Sequence, residues 1–173
     1  MGIGNFMKEE SLYITVSKEN CFEVREYRDL CLVKVIVQGP FESAYRTGSD
    51  ILKKYFDGNN YKKKKINCHS SFMLLSRVDG WEVSCLLPSV YFEQTAPKPL
   101  GDQIFFEKII SHKVVVHYFQ GRSAYSTLIK KTEELKQWAK KTNLKLNSTA
   151  RVVMSRPSFF SLLRKNEIHF DSL

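Results

Sequence analysis

One order of predicted elements occurs twice in this chain, and it limits the folds that the chain can adopt. In each half, an apolar strand ends at Gln-Gly and is followed by an amphipathic helix and two more strands. The two dipeptides, Gln38-Gly39 and Gln120-Gly121, are 82 residues apart in a chain of 173 residues. The sequence therefore predicts two similar halves, with pseudo-repeats at about residues 20–88 and 104–170. The alternative is a coincidence between two ordinary strand–helix units.

The first half changes from a two-residue period to a helical period at Phe41. Alternating or continuous apolar residues predict four strands, at 22–27, 30–37, 66–75 and 81–87. The helix between the second and third strands ends at Asp57-Gly58-Asn59-Asn60, because Gly and Asn tolerate the left-handed conformation at a helix end. Its apolar face consists of Phe41, Ala44, Tyr45, Leu52, Tyr55 and Phe56.

The second half repeats this pattern after an irregular, proline-containing connection at 88–99. Strands are predicted at 104–110, 114–119, 150–155 and 167–170. The second helix has an apolar face made of Tyr125, Leu128, Ile129, Leu135, Trp138 and Ala139. The predicted fold class is α+β, a distorted antiparallel β-barrel of about eight strands with one helix of each half packed outside. A doubly wound nucleotide-binding fold is disfavoured, since there are too few helices and no Gly-rich strand-to-helix turn.

Composition and terminal sequence predict one cytoplasmic domain. With 43% hydrophobic and 13% aromatic residues, the chain lies outside the disordered class. We expect a single domain over 20–173, preceded by an N-terminal extension over 1–19. No apolar run approaches the roughly 18 residues of a membrane span, and the first residues lack the pattern of a signal peptide. Four scattered cysteines are expected to be reduced thiols; they are Cys21, Cys31, Cys68 and Cys85.

The basic charge of the chain is concentrated near the two helices. The formal net charge is +9, and segments 45–65 and 122–151 contain most of the excess lysine and arginine. One interpretation is a surface that faces an anionic partner, and the other is that the lysines solvate the outer faces of the helices. Nucleic-acid binding through Lys62–Lys65 is disfavoured, because Tyr61 is the single aromatic residue beside this run.

The sequence contains no catalytic or metal-binding motif, so we expect no enzyme and no metal site. No HExxH, GxSxG or Gly-rich phosphate loop occurs. Cys68 and His69 are adjacent, but neighbouring residues of a strand point to opposite faces. The pattern favours a binding module with an apolar surface edged by basic groups. Such a surface suits a flat, apolar, carboxylated ligand.

Several short motifs resemble the SOUL/haem-binding protein family in their order and spacing. They cover about residues 20–170, nearly the entire chain. The motifs are Phe22-Glu23-Val24-Arg25-Glu26-Tyr27, the helix end at 52–60, Lys65-Ile66, Trp81-Glu82-Val83-Ser84, Leu87-Pro88-Ser89, Pro97-Lys98-Pro99, Gly121 and the segment 163–168.

The resemblance implies non-enzymatic, non-covalent binding of a tetrapyrrole, haem or porphyrin, by a carrier or buffer protein. It also implies a distorted barrel of two pseudo-symmetric halves. The ligand surface of the family is associated with the first helix. Carried over to this chain, Arg46 and Lys54 would supply basic groups for the propionates, and Ile51, Leu52 and Tyr55 would supply apolar contact.

The chain departs from the family pattern at positions that bear on haem. Members usually carry a Met-Thr-x-Pro-Val type motif after the first helix, where this chain has the segment 67–72. Glu26 stands where some members have a histidine. If iron is ligated, Cys68 or His69 are the local candidates. The alternative function is therefore a divergent SOUL-fold protein that has lost haem binding and contacts a protein partner.

Overall fold

A computed structural model describes residues 12–67, 71–91, 94–121, 123–155 and 165–173. Nine strands and two helices follow one another in these ranges. In chain order they are β1 (Tyr13–Glu19), β2 (Phe22–Tyr27), β3 (Leu30–Val37), α1 (Phe41–Phe56), β4 (Ser71–Arg77), β5 (Gly80–Leu86), β6 (Phe105–Ile109), β7 (His112–Gln120), α2 (Tyr125–Lys141), β8 (Leu146–Ser155) and β9 (Lys165–Ser172). Neither helix is long and apolar enough to cross a membrane.

All nine strands belong to one antiparallel sheet, which confirms the predicted α+β class. Their order is β1-β2-β7-β9-β8-β4-β5-β3-β6. The prediction of a barrel needs correction, because the sheet is not closed and its edges are β1 and β6. The ninth strand is β1, which pairs with β2 from within the segment predicted as an extension. Most of its residues are exposed, including the apolar side chains of Ile14 and Val16, as on an edge strand that no other element covers in the described part of the chain.

The two halves have the same element order and the same strand pairing. In the first half β5 lies between β4 and β3, and in the second half β9 lies between β8 and β7. The registers also correspond, since Ile36 pairs with Glu82 and Tyr118 pairs with Glu167. Tyr118 and Glu167 lie about as far along the chain from Ile36 and Glu82, respectively, as the second Gln-Gly dipeptide lies from the first, which is 82 residues. A two-fold relation between the coordinates of the halves remains a prediction.

Both helices lie on one face of the sheet, which we call the helix face. Alternate residues of the strands point to this face and form the main core, as Val33 and Val35 of β3 do. Leu52 and Tyr55 of α1, and Leu135 of α2, are completely buried there. His117 is buried under α2, where its Nδ1 lies 3.0 Å from the carbonyl oxygen of Lys131. Burial is the main cause that lowers the pKa of His117.

The strand predicted over 66–75 begins later than expected, at Ser71. Ile66 belongs instead to the turn after α1, where its amide donates to the carbonyl oxygen of Phe56 at 2.8 Å. Asn60 holds the same turn through three side-chain hydrogen bonds, two of them to the backbone of Lys64. The side chain of Ile66 is buried against the core. The prediction was wrong at this position because a buried apolar residue in a turn has the same sequence signal as the first residue of a strand.

Close packing of α1 on the sheet depends on Gly48. A Cβ atom at this position would lie 2.5 Å from Cγ2 of Val83, which is closer than carbon atoms approach. Val83 belongs to β5 and is completely buried. The backbone of the helix therefore lies directly on the side chain of Val83, with no helix side chain between them.

We predict that Gly48→Ala destabilises the protein by about 1–3 kcal/mol, because the added methyl group overpacks the contact with Val83. In an unhindered helix the same change stabilises by up to about 1 kcal/mol. Urea unfolding measures the difference. Thr47→Ala, at the exposed neighbouring position, is the control and should change the free energy of unfolding by less than about 0.5 kcal/mol. A Gly48→Ala variant as stable as the parent would contradict the packing described.

Candidate ligand-binding surfaces

The outer side of α1 presents three of the five residues that the sequence singled out. Arg46 and Lys54 are exposed, and Ile51 is half-buried. Neither Arg46 nor Lys54 forms an ion pair among the residues that the structure describes, so both charges are available to a ligand. Lys53, between them, is occupied by an ion pair with Asp50 at 2.9 Å.

Leu52 and Tyr55 lie on the opposite side of α1, in the core. Both are completely buried, and the hydroxyl group of Tyr55 donates to the carbonyl oxygen of Pro97 at 2.9 Å. Burial, followed by the charge of Tyr91, raises the pKa of Tyr55 to about 12. The two side chains anchor the helix to the sheet and to the segment after β5. They reach a ligand on the surface only if the helix moves.

A groove beside the first turns of α1, which we call the α1 groove, is the depression nearest to Arg46. Its volume is about 330 Å³, and it lies between α1, Ser123 and the end of β8. The aromatic ring of Tyr45 is half-buried there and makes an edge contact with Phe72, at 6.4 Å between ring centroids. The described lining residues are Phe41, Glu42, Tyr45, Arg46, Ser49, Asp50, Lys53, Ser123 and Met154.

The sequence missed most of this lining. Phe41 and Tyr45 belonged to the predicted apolar face of the helix; Phe41 is buried in the core as expected, whereas Tyr45 is half-buried at the margin of that face. Helical periodicity cannot distinguish a residue at the centre of the buried stripe from one at its margin, where a side chain is half-exposed. Ser123 and Met154 come from the other half of the chain, and only the tertiary structure brings them to α1.

Lys54 stands at a second depression, at the other end of α1. This hollow has a volume of about 790 Å³ and is lined by the turn that follows the helix, including Tyr61 and Lys63, and by Leu100 from the segment before β6. Arg46 and Lys54 are eight residues apart, or about 12 Å along the helix axis. The structure therefore does not bring the two basic residues into one pocket. They mark the two ends of the exposed helix surface.

The lysine run after α1 is held in a defined turn. Lys62, Lys63, Lys64 and Lys65 are all exposed, and the ammonium group of Lys64 lies 5.4 Å from the ring centroid of Tyr91. Cys68 and His69, the candidate iron ligands, lie outside the described residues. Within the described ranges, no cluster of three His, Cys, Asp or Glu side chains could hold a metal ion.

The face of the sheet opposite the helices, which we call the inner face, carries buried ion pairs. The guanidinium group of Arg25 donates two hydrogen bonds to Glu167, at 2.9 and 3.0 Å, and one to Glu23 at 2.8 Å. Nε2 of His169 lies 2.6 Å from the same carboxylate of Glu167. Glu82 occupies the corresponding position of the first half and contacts Lys34 at 3.3 Å.

These contacts shift the pKa values of the inner-face residues. Burial alone would raise the pKa of Glu167, but hydrogen bonds and charges from His169 and Arg25 outweigh it and lower this pKa to about 2. Burial raises the pKa of Tyr27 to about 12, against the opposing effect of Arg25. Glu167 is thus ionised and Tyr27 neutral over the whole physiological range.

We predict that Glu167→Gln destabilises the protein by about 1–3 kcal/mol at pH 7, because Arg25 loses its charged partner. The folded-state pKa of Glu167 lies below its usual value of about 4.5. Its contribution is therefore present above about pH 4.5 and is lost as the pH falls toward 2. Urea unfolding from pH 7 to pH 3 should show the difference between variant and parent shrinking in acid. Glu42→Gln, an exposed carboxylate on α1, is the control; an equal pH dependence in both variants would refute the assignment.

The fold is similar to solved structures at low sequence identity. A hydrolase from Listeria innocua matches with a TM-score of 0.61 and 11% identity, over 91% of this chain and 94% of that chain. The C-terminal domain of EcmrR matches with a TM-score of 0.58 and 16% identity, over 94% and 98%. EcmrR in a complex with DNA matches with a TM-score of 0.62 and 14% identity, over 95% of this chain and 59% of that chain. At these identities the similarity shows the fold alone.

A protein-family model matches the part of the chain that contains the sheet and both helices. No curated protein sequence matches the chain. The family model described as SOUL heme-binding protein matches residues 8–171, which is nearly the whole chain. This match includes the α1 groove, the buried anchors of α1 and the inner-face ion pairs, and it confirms the resemblance found from short motifs. The chain therefore belongs to the SOUL haem-binding protein family.

Proposed function

We propose that this protein binds a tetrapyrrole, haem or porphyrin, non-covalently along the exposed side of α1, and that it acts as a carrier or buffer and not as an enzyme. The observation that carries the proposal is the α1 groove. It places the half-buried ring of Tyr45 beside the guanidinium group of Arg46, which has no ion-pair partner among the described residues, in a member of a haem-binding family. We place this activity in the cytoplasm and in one domain over 20–173.

The residues of the groove fit the chemistry of a tetrapyrrole. A flat macrocycle needs apolar area, which the half-buried side chains of Tyr45 in the groove and of Ile51 elsewhere on α1 offer, and its propionates need cations. Arg46 can bind a carboxylate with two parallel hydrogen bonds, and Lys54 supplies a second charge farther along the helix. With about 330 Å³, the groove does not enclose a whole macrocycle, so the ligand would lie partly in solvent.

Iron is not required for this mode of binding. The described lining of the α1 groove contains no histidine or cysteine, the side chains that most often ligate haem iron. Binding would then rest on apolar contact and on the propionates. The affinity for metal-free protoporphyrin should be similar to the affinity for haemin.

The first test is a titration of haemin, and separately of protoporphyrin, into the purified protein. Soret absorbance and Tyr/Trp fluorescence quenching report binding. We expect saturable one-to-one binding of both ligands, with dissociation constants within about tenfold of each other, a difference of 1.4 kcal/mol or less. Binding of haemin alone would contradict the iron-independent mode and would direct attention to Cys68 and His69. No saturable binding of either ligand would refute the proposed function.

We predict that Arg46→Glu combined with Lys54→Glu weakens protoporphyrin binding by about tenfold or more, because the propionates then face carboxylates. Both positions are exposed, so the fold should be retained. Lys140→Glu together with Lys136→Glu, on the exposed side of α2, gives the same change in net charge and is the matched control. Unchanged affinity in the α1 variant, or an equal loss in the control, would refute this location of the site.

The second candidate is a SOUL-fold protein that has lost tetrapyrrole binding and contacts a protein partner. The burial of Leu52 and Tyr55 favours it, because two of the three apolar residues expected at the ligand are used by the core. This candidate gains support if neither haemin nor protoporphyrin binds. A stable partner that copurifies with the protein, and whose binding does not depend on added porphyrin, would then identify the function.

A further inference from the structure

The inner face of the sheet encloses a cavity that the proposed tetrapyrrole site does not use. The cavity, which we call the inner cavity, has a volume of about 220 Å³ and is lined by side chains from all nine strands. The sheet is therefore curved strongly enough for β1 and β6, its two edge strands, to border the same space. Since α1 and α2 lie on the helix face, the inner cavity and the α1 groove are on opposite faces of the sheet.

Most of the inner cavity has an apolar wall. Leu32, Met73, Leu86 and Val153 contribute aliphatic or thioether surface from four different strands. Tyr13 and Tyr27 form an aromatic corner with 5.0 Å between their ring centroids. A wall of this kind favours an apolar ligand that displaces poorly ordered water.

The charged groups of the inner cavity are already paired with one another. Arg25 is bonded to Glu23 and Glu167, and its guanidinium group also lies 4.4 Å from the ring centroid of Tyr13. Arg151 forms an ion pair with Asp171, across the pairing of β8 and β9. Among the described residues, no buried side-chain polar atom that lines the cavity lacks a hydrogen-bond partner.

This pairing determines the charge of a suitable ligand. A ligand with a carboxylate would have to displace Glu167 or Glu23 from Arg25, or Asp171 from Arg151, and a cationic ligand would have to displace one of these basic groups from its carboxylate. Either exchange leaves a buried charge without its partner, which is costly. An uncharged ligand leaves every ion pair in place. The inner cavity therefore selects against charge of either sign.

The volume of the cavity limits the size of the ligand. Apolar cavities of about 150 Å³ in proteins bind benzene, so a volume of about 220 Å³ accommodates somewhat more than one ring. A tetrapyrrole has four rings and is far too large for the space. We propose that the inner cavity is a second ligand site, which binds an uncharged, mainly apolar compound of one or two fused rings. This inference does not depend on the proposed tetrapyrrole function.

Three probes with the same ring system test the proposal. They are 2-naphthol, which is uncharged at pH 7, 2-naphthoate, which is an anion, and 2-naphthylmethylammonium, which is a cation. Methyl-labelled protein is titrated with each probe, and NMR shifts of the methyl groups of Met73, Leu86 and Val153 report occupation of the inner cavity. We expect saturable shifts with 2-naphthol and an affinity at least about tenfold weaker for both ions. Equal binding of an ion, or shifts confined to Met154 and Ile51 near α1, would overturn the proposal.

Two tryptophan variants on β4 test whether 2-naphthol binds in the inner cavity or elsewhere on the same face of the sheet. Met73→Trp fills the inner cavity and should abolish the saturable shifts with 2-naphthol. Leu75→Trp is the matched control, since Leu75 lies two residues farther along β4, on the same face, and does not line the cavity. It should bind 2-naphthol within about twofold of the parent. If Met73→Trp does not fold, Val153→Phe is used in its place, because it adds less volume at the same wall.

Porphyrin titrations of the same variants separate this site from the proposed tetrapyrrole site. Met73→Trp should bind protoporphyrin like the parent, while Arg46→Glu with Lys54→Glu should bind 2-naphthol like the parent. Retention of 2-naphthol binding in Met73→Trp would refute the inner cavity as the site, whatever the porphyrin result. Loss of porphyrin binding alone in the α1 variant would concern the tetrapyrrole proposal and would leave this inference intact.

Discussion

A single antiparallel sheet has two faces, and the rest of this structure follows from how both are covered. The helices cover one face with a continuous apolar core. The other face has no helices in the described part of the chain, and the sheet covers it by curving, so that every strand borders one cavity. Charged residues occur on that face, and they are buried in pairs such as Arg25 with Glu167. Without such pairing, burial of these charges would cost several kcal/mol for each ion.

The two faces differ in what they offer a ligand. The α1 groove is open and carries an arginine without an ion-pair partner in the described residues, so it suits a large ligand with acidic groups. The inner cavity is smaller, and its charges neutralise one another. Size and charge thus separate the ligands that we propose for the two surfaces. The close contact of Gly48 with Val83 connects them, because it fixes α1 on strands whose other side borders the cavity.

The strand and helix order was predictable because it depends on local periodicity. The change from a period of two to a period of 3.6 at Phe41 is visible in the sequence, and α1 begins there. The edge strand β1 was missed because its residues were assigned to the N-terminal extension, although Ile14 and Val16 alternate there with polar residues. The expected ligand residues lie on different sides of α1. Leu52 and Ile51 are neighbours in sequence, yet Leu52 is completely buried and Ile51 is half-exposed. Family resemblance indicated the helix, and only packing shows which side of it is accessible.

By itself, the sequence determined the α+β class, the repeated order of strands and helix, the excess of basic charge near the helices and the membership of the SOUL family. These properties follow from local periodicity, composition and short motifs, which need no knowledge of long-range contacts. Tertiary structure alone decided that the sheet stays open, that Ser123 and Met154 reach α1, and that Arg25 meets Glu167 from 142 residues away. The physical reason is that these features depend on strand order and curvature, which bring distant residues together. A one-dimensional pattern contains the alternation of each strand but not the neighbour that it will pair with.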